Sequence, residues 1–138
     1  DMNARVADID VVLKSGYVNG YRADGLIFST PTGSTAYSLS AGGPIVCAGM
    51  QAIIVTPICP HSLFFRSMVY GPQEELTVQG KHINNSDTLV MSIDGKDVVK
   101  VAPGDWVQIK RSEQSMKYVV LAKNNYYKKL TENFSNRR

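Results

Sequence analysis

Residues 24–44 read DGLIFSTPTGSTAYSLSAGGP, and four glycines with eight serines, threonines or tyrosines crowd these 21 positions. The apolar opening, GLIFST over 25–30, predicts a strand. Pro31 ends it, because proline brings no N–H to a central ladder. STAYSLS over 34–40 predicts a short helix capped at its start by a Ser or Thr hydroxyl, and Gly42-Gly43-Pro44 stops it. Such a turn either binds something polar or merely joins two strands. Its residue types suit a flat, polar ligand: hydroxyls to bond a ribose, a tyrosine ring to stack, and glycines that let the main chain approach. Asp24 stands just upstream to accept N–H groups.

Outward from this turn the chain reads as short strands. VADIDVVL (6–13) sets Val6, Ile9, Val11 and Leu13 among polar neighbours, and KSGYVNGY (14–21) is a turn feeding another strand. Downstream, AIIVTPI, EELTVQ, DTLVMSIDG, DWVQIKRS and MKYVVLA are separated by Gly, Asn, Asp and Pro every 8 to 15 residues. That is the spacing of an all-β sandwich of short, mostly antiparallel strands. Within 92–111, Asp94-Gly95 marks a tight hairpin turn and Pro103-Gly104-Asp105 the next. One further helix is expected, NNYYKKLTENF, with a weak apolar stripe of Tyr127, Leu130 and Phe134.

The charge excludes some functions. The net charge is +3, but residues 123–138 hold five basic side chains against Glu132 alone, while residues 1–122 carry 10 basic and 11 acidic ones. A nearly neutral body with a basic end is not a phosphate-tracking stripe, so no nucleic-acid partner is expected. The apolar runs are far too short to span a bilayer, and the start does not look like a signal peptide. These features predict a soluble, cytoplasmic protein with no membrane partner. Cys47 and Cys59 lack CxxC spacing and are expected to be buried, inert thiols. His61 and His82 are the only histidines, too few to complete a tetrahedral metal set with Cys59, so no metal site is expected. No G-x-S-x-G elbow occurs. The neighbouring carboxylates Glu74 and Glu75, or Asp94 and Asp97, sit where a solvated face explains them.

RADGLIFSTPTGSTAYSLSAGGPIV (22–46) closely resembles the signature of the NAD kinase family, and TPICPHSLFFRSMV (56–69) looks like its next block. The resemblance runs from about residue 6 to 122. It implies a kinase that moves the terminal phosphoryl of ATP, or polyphosphate in some members, onto the adenosine-ribose 2′-hydroxyl of NAD to give NADP, with Mg²⁺ in the full enzyme. Family members pair an α/β domain, carrying a Gly-Gly-Asp-Gly motif with the general base, with a β-rich domain that supplies much of the NAD pocket and the oligomer contacts. Neither that motif nor the family's Asn-Glu pair occurs here. The resemblance therefore implies that residues 1–138 form one β-rich dinucleotide-binding and oligomerisation domain, without the N-terminal α/β domain, and that no catalytic residue lies in the chain.

Carried onto this sequence, the family pattern makes Asp24 a contact to the nicotinamide carboxamide or its ribose, with Ala36 and Tyr37 lining the nicotinamide end. Thr35 and Ser40 approach the adenosine portion, and Arg22 reaches a neighbouring subunit's dinucleotide. Thr32 and Gly33 complete the expected contacts, although Gly33, Gly42 and Gly43 read first as backbone bends. The resemblance also implies a homodimer or homotetramer, an expectation that the apolar stretch with Phe64, Phe65, Met68 and Val69 supports. Two other readings remain open: a dinucleotide-binding module without chemistry, and an oligomerisation platform.

Overall fold

A computed structural model describes residues 6–47, 49–61, 66–82, 89–102 and 104–114. The expected strand at 116–122, the helix at 124–134, the basic end, Phe64, Phe65 and Pro103 lie outside the described residues. Among the described residues the fold is all-β and antiparallel, with one short α-helix.

Alternation along 6–13 produces β1 (Ala7–Val12), with Ala7, Ile9 and Val11 buried. Asp8 and Asp10 fall on the opposite face, where Asp10 meets Lys81 Nζ at 2.9 Å. A turn at 14–17, closed by the Leu13 N–H donating to the Tyr17 carbonyl at 2.8 Å, returns the chain as β2 (Val18–Ala23). There Asn19, Tyr21 and Ala23 point inward. After Asp24 alone the chain resumes as β3 (Gly25–Ser29), now paired with β4 (Ile53–Ile58) rather than β1. Asp24 thus stands at the corner where the chain changes sheets, a regular device of sandwich folds.

The first sheet continues through β6 (Glu75–His82) to β9 (Trp106–Lys110), in the order β2-β1-β6-β9. The second is β3-β4-β5, with β5 (Met68–Tyr70) pairing only Ile53–Val55 of β4. Pro57 sits in β4 beyond that pairing, where its missing N–H costs no bond to β5. The core forms between the sheets: Val11, Tyr21 and Leu76 from one meet Ile53, Val55 and Tyr70 from the other. Inside it the Asn19 side-chain amide donates to the Tyr70 hydroxyl at 2.7 Å.

β7 (Leu89–Ile93) and β8 (Lys96–Val101) make the expected hairpin around Asp94-Gly95. Both turn residues have positive φ, 51° and 72°, as a two-residue hairpin turn of this twist requires. Near the next expected turn, the Asp105 N–H donates to the Ala102 carbonyl at 3.0 Å. β9 does not pair with β8: it crosses to pair with β6. The short β5 lies in a stretch whose sequence shows no alternation. Cys47 is half-buried and Cys59 exposed, which corrects the expectation of two buried thiols. Cys59 is exposed because it forms the corner after β4 ends, with φ of 45°.

Candidate functional site

Asp24 and the polar turn flank opposite ends of β3. At the first end the register is Gly25 opposite Ile58. The Asp24 N–H donates to the Ile58 carbonyl at 2.9 Å, and the His61 N–H donates to the Arg22 carbonyl at 2.7 Å. These bonds clamp the corner 59–61 against the β2–β3 junction. The clamp brings His61 Nε2 to 3.1 Å from Asp24 Oδ1, with the two side chains 42% and 34% exposed. A carboxylate only accepts, so Nε2 carries the proton. Oδ2 has no hydrogen-bond partner among the described residues and can take an incoming N–H.

Arg22 lies opposite Asp8 across the β1–β2 ladder and grips it with two bonds, Nε to Oδ1 at 2.7 Å and Nη2 to Oδ2 at 3.0 Å. The bond and then the charge of Asp8 raise the guanidinium pKa further, so Arg22 is a permanent cation. Its side chain remains 59% exposed, with Nη1 outside the pair.

At the other end of β3 the turn folds in two short pieces: a 3-10 turn over Thr32–Thr35 and α1 (Tyr37–Ser40). The helical segment begins earlier than the sequence suggests, and no side chain bonds at its cap position, Pro31. One residue before, the Thr30 hydroxyl accepts the Gly33 N–H at 3.2 Å. Ala36 separates the two pieces.

The hydroxyls divide into two sets. Ser34 is fully buried: its hydroxyl donates to the Pro31 carbonyl at 2.6 Å and accepts the Val46 N–H at 3.0 Å, tying the start of the turn to its return. Ser38 is 1% exposed and lies 3.0 Å from the equally buried Thr56 hydroxyl of β4. Ile53 and Val55 face the core, so Thr56, one residue on, faces the outer side of the second sheet, and there α1 lies. Thr32, Ala36 and Ser40 are exposed; Thr35 is half-buried, its hydroxyl donating to the Thr32 carbonyl at 3.1 Å. Buried hydroxyls hold the turn, and the exposed set faces outward. Of the expected contacts, Thr32, Gly33, Thr35, Ala36, Tyr37 and Ser40 therefore share one turn, whereas Asp24 and Arg22 stand together at the sheet corner.

Sequence reasoning weighed His61 only as a metal ligand. The β3–β4 register is what brings it to Asp24, and the only advance signal was Cys59-Pro60 before it, a pair that marks a corner. Two open clefts, of about 460 and 340 Å³, lie elsewhere. Neither includes Asp24, His61 or the turn, so the site rests on hydrogen bonding and exposure rather than on a closed cavity. Among the described residues no three His, Cys, Asp or Glu side chains converge as a metal set, and no helix is long and apolar enough to cross a membrane.

The family model described as ATP-NAD kinase C-terminal domain matches residues 1–121. The chain is similar to the NAD kinase of Caldicellulosiruptor bescii, 41% identical over 127 residues that cover 92% of this chain and 48% of that protein. It is 38% identical to the NAD kinase of Thermoanaerobacter sp. over 134 residues, 97% of this chain and 47% of the relative. Among solved structures, yeast NADH kinase complexed with NADH superposes with a TM-score of 0.82 at 27% identity, covering 98% of this chain and 41% of that one. An NAD kinase from Archaeoglobus fulgidus in complex with ATP superposes with a TM-score of 0.69 at 27% identity, covering 80% and 41%. The chain spans about half the length of the curated relatives it matches.

Proposed function

Because the chain belongs to the NAD kinase family and corresponds to its C-terminal region, we propose that it is the substrate-binding half of an enzyme that phosphorylates the adenosine-ribose 2′-hydroxyl of NAD with ATP. One observation supports this reading above others: the family match spans a turn whose inner hydroxyls are consumed by architecture while Thr32, Ala36 and Ser40 are presented outward.

In this reading Asp24 Oδ2 accepts an amide N–H of the nicotinamide carboxamide or a ribose hydroxyl, with the other oxygen held by His61. Ala36 is small enough to leave room for the ring, and Tyr37 supplies flat area with a polar tip. Thr35 and Ser40 bond the adenosine portion, and Thr32 and Gly33 line the approach. Arg22, already neutralised in part by Asp8, reaches toward a dinucleotide held by a second copy in a homodimer or homotetramer. Exposed Val69, Ile93, Val99 and Trp106 supply apolar area for such assembly.

Phosphoryl transfer also draws on Mg²⁺, a cradle for phosphate oxygens and a group that orients the acceptor hydroxyl. The described residues offer no fitting donor set for the metal, and no catalytic step is assigned to them. The test follows from this division of labour. With Mg-ATP and NAD, the full natural polypeptide forms NADP while the 138-residue chain alone forms none above background. Turnover that follows the purified chain itself overturns the assignment, because the acid-base group would then lie within it.

A further inference from the structure

α1 has four residues, far too few to set its own position, because an isolated helix of that length is not stable in water. Something outside it must fix both its seat and its rotation. A network of hydroxyls joins α1 to β4. The Ser67 hydroxyl donates to Thr56 Oγ1 at 3.3 Å, and Thr56 in turn lies 3.0 Å from Ser38 Oγ. The Ser38 carbonyl then accepts the Gly43 N–H at 2.8 Å. Ser38 and Thr56 are each 1% exposed, so their bonds are shielded from water. Apolar packing would leave a short helix free to roll, whereas directed hydroxyl bonds define one rotation. Gly43 closes the seat from the other side: a Cβ there would stand 2.5 Å from Ser38 Oγ and 2.6 Å from Thr56 Oγ1. Ser38 points inward while Ser40, two residues on in the same helix, is exposed, so the rotation that satisfies Ser38 presents Ser40 outward, and exposed Ala36 is tied to the start of that helix through its carbonyl, which accepts the Leu39 N–H at 3.1 Å.

The geometry points to the buried chain Ser67–Thr56–Ser38 as the positioning element of the dinucleotide site, with Thr56 its central residue: it sets the rotation of α1 and hence the placement of Ala36 and Ser40. None of the three touches the dinucleotide, and the inference rests on the reading of the turn given above.

Thr56→Val keeps the shape and removes the hydroxyl, and Thr56→Ser restores the hydroxyl. In the full natural polypeptide, well below its melting temperature, Thr56→Val is expected to raise the Kd and KM for NAD about tenfold, as loss of a buried hydrogen bond allows. The KM for ATP stays unchanged, and Thr56→Ser recovers most of the loss. If Thr56→Val does not fold, Ser67→Ala at the half-buried end of the chain reads the same effect at smaller size. A lower melting point with NAD affinity within twofold of the parent, or equal shifts in the NAD and ATP constants, overturns the positioning role. Ala36→Leu separates this failure from failure of the underlying reading: it blocks the outward face without touching the network. NAD binding lost in Ala36→Leu but kept in Thr56→Val overturns the positioning role alone, and binding kept in both overturns the assignment of the turn as the dinucleotide face.

Discussion

Gly43 and Gly42 are neighbours, yet alanine at the two positions should behave very differently. A Cβ at Gly43 meets Ser38 Oγ at 2.5 Å, Thr56 Oγ1 at 2.6 Å and the Ser38 carbonyl at 2.8 Å. Ordinary contact asks for gaps roughly 0.6–0.9 Å wider. The two hydroxyls are buried and bonded to each other, and the carbonyl is held by the Gly43 N–H, so the loop must spread and the Ser38–Thr56 bond must open. Overpacking costs about 1–3 kcal/mol. The buried hydroxyls left unpaired add about 1–3 kcal/mol. A total near 3 kcal/mol would lower the melting temperature by roughly 10 °C for a domain of this size. At Gly42 the φ of 91° strains any other residue, but nothing lies within 4 Å of a new Cβ. Only the left-handed backbone is disturbed there, at about 1 kcal/mol. Thermal melts of Gly43→Ala and Gly42→Ala, followed by circular dichroism, give the ranking. A Gly43→Ala protein that melts within about 2 °C of the parent, or above Gly42→Ala, refutes the closed seat beneath α1.

Two further perturbations address other parts of the molecule. Burial first, and then the charge of Tyr70, hold the Tyr21 phenol above its ordinary value of 10.0; burial also raises Tyr70, against the lowering bond from Asn19. Above pH 10 the unfolded phenols ionise before the folded ones, so stability falls as pH rises, by at most about 1.4 kcal/mol per pH unit for each phenol. Melting between pH 8 and 11 should show this decline, shallower in Tyr21→Phe, and a flat profile in the parent contradicts it. At the sheet corner, His61→Ala should weaken NAD binding by roughly two- to fivefold, the scale of one half-exposed hydrogen bond to a carboxylate. His61→Gln should retain affinity because its amide nitrogen reaches about as far as Nε2, and equal losses in both variants would remove the hydrogen bond from the explanation.

Much of the fold was legible because alternation and turn chemistry are local. Ile9 and Val11 in β1, Pro31 after β3 and Asp94-Gly95 between β7 and β8 each carry their signal within a few residues. Pairing does not. That β9 joins β6 rather than β8, and that β5 forms at all, depends on which apolar faces meet across the core. The turn was legible as a unit, yet its hydroxyls looked alike in sequence; only their side of the fold separates Ser34 and Ser38, which build the turn, from Thr32 and Ser40, which are exposed. His61 was invisible as Asp24's partner for the same reason, since the two stand 37 positions apart and only the β3–β4 register joins them. Thr56, apolar in its neighbours and polar in itself, reads as one more strand residue until the helix above it is placed.

Asp24 carries the claim that this corner and turn recognise a dinucleotide. Asp24→Ala removes a charge-assisted acceptor worth about 1.5–3 kcal/mol to a bound amide. The bond to His61 that it also removes is half-exposed and contributes about 1 kcal/mol or less to stability. Equilibrium titration of NAD against the variant in the full natural polypeptide, with melting followed in parallel, should show affinity reduced about 10- to 150-fold and stability changed by no more than about 1 kcal/mol. Unchanged affinity together with a lowered melting point would contradict it, and Asp24 with His61 would then be only a brace at the corner where the chain changes sheets.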